Sequence, residues 1–133
     1  MEDESEMTTK PSILFVDDER RIGVLFERLV GARAEVQTAS SGRTALELIE
    51  EHDYDAVVCD LYMPEMSGQD LYEQLQQTRP ELARRVVFMT GGVQSAESRE
   101  FVASVDNEIV YKPFELPVLE SALSSVLDQD FEL

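Results

Sequence analysis

The sequence of 133 residues carries a formal net charge of −17, and 43% of its residues are hydrophobic. This length and this hydrophobic fraction fit one folded domain and exclude a disordered chain. A surface this acidic disfavours nucleic acid and anionic lipid as partners, and it either attracts cations and basic protein faces or serves only to keep the protein in solution.

No apolar run in the sequence is long enough to cross a membrane. The acidic residues that follow Met1 are the opposite of the positively charged start of a signal peptide. The single cysteine, Cys59, cannot form an internal disulfide, which suits a reducing compartment. We therefore expect a cytoplasmic protein that makes no contact with a membrane.

The first part of the chain alternates between strand and helix patterns. Residues 1–11 are polar and charged, and we expect them to form a flexible acidic N-terminal tail. A strand is predicted at 13–17, followed by a helix whose apolar residues recur at the helical spacing until Gly31 ends it. The segment 35–39 is more mixed and is predicted to be an edge strand, after which Ser41 can cap a second helix.

The same alternation continues to the end of the chain. The remaining predicted elements are strands at 56–60, 86–90 and 109–112 and helices marked by apolar stripes at Leu71 and Leu75, at Phe101, Val102 and Val105, and at Leu116, Leu119, Leu123 and Val126. The third helix is expected to close near Pro80, and Pro117 is tolerable in the first turn of the last helix.

Strand and helix thus alternate five times, which predicts an α/β fold. Four of the five strands are almost continuously apolar, as expected for a parallel sheet that is covered by helices on both faces. In such open sheets, ligands bind outside the carboxyl ends of the strands.

Polar and charged side chains stand at the ends of four predicted strands. The first strand ends at Asp17 and continues into Asp18, the third ends at Asp60, the fourth at Thr90 and the fifth at Lys112. Because neighbouring parallel strands lie about 5 Å apart and end at the same edge, these groups can meet in one small site if their strands are neighbours.

A cluster of this kind fits magnesium-dependent phosphoryl transfer. Three crowded carboxylates repel one another unless a cation neutralises them, and oxygen ligands without sulfur or nitrogen select a hard cation such as Mg²⁺. In this interpretation, Asp60 is the nucleophile that attacks phosphorus, while Asp17 and Asp18 hold the metal. Lys112 and the hydroxyl of Thr90 contact the phosphoryl oxygens.

Each of these residues also has an ordinary structural interpretation. Asp17 and Asp18 can cap the first helix, Thr90 can be a plain turn residue before two glycines, and Lys112 can be a solvated strand end. Their conjunction at four separate strand ends is what favours a functional site.

Four motifs of the chain resemble the receiver domain of two-component response regulators: ILFVDDE, VVCDLYMPEMSG, VVFMTGG and VYKPF. The resemblance covers residues 12–128 and leaves the acidic tail before it and a short C-terminal tail at 129–133. Such a receiver either stands alone or is part of a longer regulator such as a hybrid histidine kinase, and the sequence does not decide between the two.

The resemblance implies a flavodoxin-like (βα)5 three-layer sandwich whose parallel strands follow the order 2-1-3-4-5. It implies that Asp60 accepts a phosphoryl group and that Mg²⁺ is held by Asp18, Asp60 and the main-chain carbonyl of Tyr62, with Asp17 acting partly through water. The lysine and the threonine keep the roles given above. A cis peptide bond before Pro113 is also implied, and proline tolerates one.

The resemblance further implies partners and a switch. The phosphoryl donor is a sensor histidine kinase or a histidine phosphotransfer protein, and a downstream protein binds the face formed by the fourth helix, the fifth strand and the fifth helix. In receivers, Thr90 couples to an aromatic side chain three positions before Lys112, but this chain has Ile109 there and its aromatic residue is Tyr111. Tyr62 is placed where it can shield the phosphoryl group from water.

Two other functions compete with this interpretation. A magnesium-dependent aspartyl-phosphate phosphohydrolase usually carries a second aspartate two positions after the nucleophile, where this chain has Tyr62. A scaffold receiver that binds partners without being phosphorylated is the other alternative, although all the residues of the acceptor site are present.

Overall fold

Five parallel strands form one sheet in the computed structural model, which describes residues 10–92 and 95–133. The strands are β1 (Ser12–Val16), β2 (Glu35–Ala39), β3 (Ala56–Asp60), β4 (Val86–Thr90) and β5 (Ile109–Tyr111). Their spatial order is β2-β1-β3-β4-β5, which confirms the predicted α/β fold and the strand order 2-1-3-4-5. Residues 1–9 of the predicted N-terminal tail lie outside the described residues.

Six helices connect the strands or follow them in the described part of the chain. They are α1 (Arg20–Val30), α2 (Gly42–Glu51), α3 (Gly68–Thr78), α4 (Pro80–Ala83), α5 (Ala96–Ser104) and α6 (Leu116–Leu127). Five of them correspond to the predicted helices, and the single turn α4 is an addition. Pro80, near which the third helix was expected to close, begins this extra turn because its fixed φ suits the first position of a helix.

Side-chain caps define where α2 and α3 begin. The hydroxyl of Ser41 accepts a hydrogen bond from the main-chain N–H of Thr44, so the predicted cap of α2 is confirmed. Ser67 and Asp70 form a reciprocal capping box at the start of α3. Both helices therefore start at fixed positions just beyond the carboxyl edge of the sheet.

The sheet divides the hydrophobic core into two layers. Alternate strand residues point to opposite faces, where α1 and α6 cover one face and α2, α3, α4 and α5 cover the other. β3 and β4 are buried at all five positions, whereas β2 exposes three of its five, as expected for an edge strand. Cys59 is fully buried in β3 and burial raises the pKa of its thiol, so it is a protonated core side chain.

The residues after α6 fold back onto that helix. Phe131 is buried, its N–H donates to the hydroxyl of Ser124, and the N–H of Leu133 donates to a carboxylate oxygen of Glu120. The predicted C-terminal tail at 129–133 therefore packs against the domain. Within the described residues, no helix combines the length and apolar character needed to span a membrane.

Candidate functional site

The carboxyl edge of the sheet brings together the ends of three strands. Asp17 directly follows β1, Asp60 is the last residue of β3, and Lys112 directly follows β5. The Nζ atom of Lys112 lies 2.8 Å from Oδ2 of Asp17 and 3.3 Å from Oδ2 of Asp60. One ammonium group therefore bridges two carboxylates from separate strands, at the edge where the sequence predicts a site.

A third carboxylate completes the cluster. Ligand oxygens of Asp17, Asp18 and Asp60 all lie within 4.8 Å of one another; Asp17 and Asp60 are buried and Asp18 is exposed. Set against the single ammonium of Lys112, three carboxylates leave two formal negative charges unbalanced. An all-oxygen donor set with this charge, open to solvent on one side, fits a hard divalent cation such as Mg²⁺.

Burial and the neighbouring charges shift the ionisation of the site. Burial raises the pKa of Asp60, Lys112 acts against this rise, and the nearby carboxylate of Asp17 adds to it. Burial alone would lower the pKa of Lys112, but its hydrogen bond to Asp17 and the field of both carboxylates outweigh burial and raise it. Lys112 therefore stays charged, while ionised Asp60 is held in an environment that favours an additional cation.

Main-chain hydrogen bonds hold the acidic residues in place. The N–H of Leu61 donates to the carbonyl of Met89 on β4, so the end of β3 is fixed to its neighbour. The N–H of Glu19 donates to Oδ1 of Asp17 at 2.9 Å, so this carboxylate stabilises the turn before α1 while its other oxygen pairs with Lys112. The structural and the functional interpretations of Asp17 are thus compatible.

Thr90 lies at the buried end of β4, one residue beyond the register partner of Asp60. Its hydroxyl donates to the carbonyl of Gly92 at 2.8 Å and accepts from the N–H of Gly92 at 3.0 Å. In this conformation both hydrogen bonds of the Thr90 hydroxyl are made with the turn that follows β4. The main-chain carbonyl of Thr90 accepts a hydrogen bond from the N–H of Lys112, so β4 is joined directly to the lysine of the site.

Three further residues that the sequence singled out surround this edge. The N–H of Tyr62 points at Oδ1 of Asp60 at 3.5 Å, and its half-buried ring packs against the core. Ile109 is half-buried against the same core, whereas Tyr111 is 53% exposed and lies in register with Thr90. The peptide bond that links the lysine of the site to the following proline is cis, as expected.

Gly68 also lies at this site, although its contact there was not predicted from the sequence. The first residue of α3 lies so close to β3 that an added Cβ atom would be 2.4 Å from the carbonyl oxygen of Asp60. The available signal was a glycine at the predicted start of a helix, which by itself indicates only a turn or a helix boundary.

Comparisons with known proteins agree with this geometry. A family model described as the response regulator receiver domain matches residues 13–124. The crystal structure of a response regulator receiver domain protein from Clostridium thermocellum is similar, with a TM-score of 0.78 and 27% identity over 89% of this chain and 94% of that chain. The structure of the response regulator TrrA from Thermotoga maritima in complex with Mg²⁺–BeF has a TM-score of 0.74 and 28% identity over 88% of this chain and 99% of that chain.

A longer curated protein contains a similar segment. The sensor kinase CckA of Brucella abortus is 30% identical over 132 residues, which are 97% of this chain and 14% of that protein. The chain spans less than half the length of the curated relatives it matches.

Proposed function

The chain belongs to the family of response regulator receiver domains of two-component systems, and from this premise we propose that Asp60 accepts a phosphoryl group from a phosphohistidine protein. The observation that carries the proposal is the position of Asp60. Its carboxylate ends a buried strand, contacts the ammonium of Lys112, and shares an open acidic cluster with Asp17 and Asp18.

In the proposed reaction, a carboxylate oxygen of Asp60 forms a bond to phosphorus while the bond from phosphorus to the donor nitrogen breaks. The leaving imidazole takes the electron pair of the broken bond, and the product is an aspartyl phosphate. Lys112 already touches Asp60, so its charge can stabilise a phosphoryl oxygen bound there. The chain itself therefore catalyses its phosphorylation, and slow attack by water on the aspartyl phosphate then releases inorganic phosphate and restores the carboxylate of Asp60.

Asp18, Asp60 and the main-chain carbonyl of Tyr62, together with Asp17, are the groups that we propose to hold Mg²⁺. When bound, the cation supplies positive charge that offsets the negative charge of the carboxylates and of the phosphoryl oxygens. The support from this structure is the all-oxygen donor set and its two unbalanced charges. The complex of the similar regulator TrrA with Mg²⁺–BeF is consistent with this assignment.

The hydroxyl of Thr90 must change its hydrogen-bond partner before it can contact a phosphoryl group on Asp60. This hydroxyl donates to the carbonyl of Gly92, so it can donate to a phosphoryl oxygen only after this hydrogen bond breaks. We infer that phosphorylation moves the turn after β4 in this way. Ile109 offers no ring that could follow the threonine inward, so the usual coupling to an aromatic side chain at that position is not available to this chain.

We propose that signalling proceeds through protein contacts in the cytoplasm, with a sensor histidine kinase or a histidine phosphotransfer protein as donor. The downstream partner is proposed to bind the face formed by α5, β5 and α6. Three large apolar side chains are exposed in or next to β5 and α6, namely Tyr111, Leu116 and Val118. Nucleic acid is not a proposed partner, because the net charge of −17 would repel it.

Incubation with acetyl phosphate and Mg²⁺, followed by intact-protein mass spectrometry and mapping of the modified residue, tests the proposal. A stable mass gain of one phosphoryl group at Asp60 is expected. Rapid consumption of acetyl phosphate without an adduct would indicate a phosphohydrolase instead. The absence of any reaction would indicate a scaffold receiver.

Replacing Asp18 with alanine is expected to cause the largest loss of Mg²⁺ affinity among alanine variants of the three clustered aspartates. Lys112 already pairs with Asp17 and Asp60, whereas Asp18 is exposed and its charge is available to the metal. Titration calorimetry of the variants measures the effect, with the exposed Asp130 replaced by alanine as the control. Wild-type affinity in Asp18→Ala would show that Asp18 is not a ligand.

Replacing Tyr62 with alanine is expected to shorten the half-life of the aspartyl phosphate. The ring is half-buried two positions after Asp60, so its removal opens a path for water to the phosphoryl group. Decay of the adduct after removal of acetyl phosphate gives the half-life, and Tyr72→Ala on α3 is a control that also loses a half-buried ring. Equal half-lives for wild type and Tyr62→Ala would refute the shielding role.

A further inference from the structure

Gly68 makes an unusually close contact with the main chain of the acceptor strand. A Cβ atom added at Gly68 would lie 2.4 Å from the carbonyl oxygen of Asp60 and 3.0 Å from Cα of Leu61. The opposing atoms belong to the main chain, so no side-chain rotation can relieve the overlap. The N–H of Leu61 also donates a hydrogen bond to the carbonyl of Met89 on β4, which restricts movement of the end of β3.

Gly68 also closes the loop that follows the acceptor. We call residues 61–67 the acceptor loop. The N–H of Gly68, directly after this loop, donates to the carbonyl of Leu61, its first residue, at 3.0 Å. Inside the loop, the N–H of Met66 donates to the carbonyl of Pro64 at 2.7 Å and Glu65 has a φ of 71°. This combination is a γ-turn with a positive central φ, which is costly for a residue other than glycine. The loop is therefore held in one tight conformation by main-chain contacts.

The other side of the acceptor loop rests on α2. A Cβ atom added at Gly42 would lie 2.7 Å from Sδ of Met66, so the methionine side chain fills the space that the glycine leaves. The acceptor loop is thus packed between two glycines, with Gly68 against the main chain of Asp60 and Gly42 against Met66. Tyr62, whose N–H faces the carboxylate of Asp60 and whose carbonyl is a proposed metal ligand, belongs to this loop.

We propose that Gly68 is a positioning residue of the acceptor site, a role that rests on the proposed phosphoryl acceptance by Asp60. The absence of a side chain lets α3 begin directly against β3 and so sets the carboxylate of Asp60 relative to Lys112 and to the carbonyl of Tyr62. An ordinary contact needs at least 3.4 Å, so an alanine would force a movement of about 1 Å. A misplacement of that size is enough to slow a chemical step by about 100-fold.

The test compares Gly68→Ala with wild type in three measurements. We expect the rate of phosphorylation by acetyl phosphate to fall by about 100-fold. We expect Mg²⁺ affinity, measured by calorimetry, to fall by about tenfold or more, as for other disturbed supports of metal ligands. In the metal-free protein, the amide resonances of Tyr62 and Lys112 should shift.

Two control variants separate positioning from general loss of stability. In Gly23→Ala the added Cβ atom meets only Thr38 and Phe15 side-chain atoms at 3.5 Å or more, so all three measurements should match wild type. Leu123→Ala removes a fully buried side chain of α6 from the core layer on the face of the sheet opposite α3. It should lower the stability of the domain and leave Mg²⁺ affinity unchanged.

The outcomes distinguish this inference from the function on which it rests. Wild-type Mg²⁺ affinity and amide resonances in Gly68→Ala would overturn the positioning role, whether or not the protein accepts a phosphoryl group. Failure of wild type to form an adduct would overturn the proposed function alone. If Gly68→Ala does not fold in plain buffer, the measurements are repeated on this variant in a stabilising osmolyte; wild-type Mg²⁺ affinity and amide resonances of the refolded variant would overturn the inference.

Discussion

Replacing Asp60 with asparagine is expected to abolish the aspartyl phosphate while the domain remains folded. The amide has nearly the size of the carboxylate but lacks its nucleophilic oxygen, so the adduct after treatment with acetyl phosphate and Mg²⁺ should fall to background. Intact-protein mass spectrometry measures this loss. A variant with full phosphoryl incorporation would place the acceptor on another residue.

The same substitution should raise the thermal unfolding midpoint in metal-free buffer. Burial, with a contribution from Asp17, raises the pKa of Asp60 in the folded protein, although Lys112 opposes the rise. A carboxyl group whose pKa is raised by folding is less favourable in its ionised form in the folded state, so its charge costs stability at neutral pH. Asparagine removes this cost. Asp106→Asn, the same change at an exposed position, is the control and should alter neither the adduct nor the midpoint.

The sequence predicted the fold well because its strands carry an unambiguous pattern. β3 and β4 are covered on both faces, so nearly every residue in them is apolar, and this distinguishes them from the amphipathic helices between them. The extra turn α4 could not be predicted in the same way. A helix of four residues is too short to show a hydrophobic period, and Pro80 is equally suited to end one helix or to begin another.

The convergence of the charged residues was predictable for a related reason. In a parallel sheet the ends of adjacent strands meet at one edge, so Asp17, Asp60 and Lys112 needed only the correct strand order to come into contact. The partner of the Thr90 hydroxyl was not predictable, because it depends on the conformation of the following turn. The contact of Gly68 with the acceptor strand was missed because it arises only when the acceptor loop returns to the strand it left.

Replacing Lys112 with alanine is expected to slow phosphorylation by about 10²–10³-fold, the usual cost of removing one group that stabilises charge in a transition state. Mg²⁺ affinity should not fall, because a positive charge is removed from the neighbourhood of the proposed metal ligands. The buried carboxylates of Asp17 and Asp60 lose their shared ion-pair partner, so the free energy of unfolding in metal-free buffer should decrease by about 1–3 kcal/mol. Initial rates with acetyl phosphate, calorimetry and denaturant unfolding measure the three effects.

Two further variants show which property of Lys112 matters. Lys10→Ala removes the only other lysine, which is exposed, and should leave the rate unchanged. Lys112→Arg keeps the charge but replaces a compact ammonium by a larger planar group, so it should recover more of the stability than of the rate. If Lys112→Ala reacted at the wild-type rate, the ammonium would have no part in the chemistry. If its Mg²⁺ affinity fell in parallel with the rate, Lys112 would act by holding the carboxylates in place, and the phosphoryl contact assigned to it would be wrong.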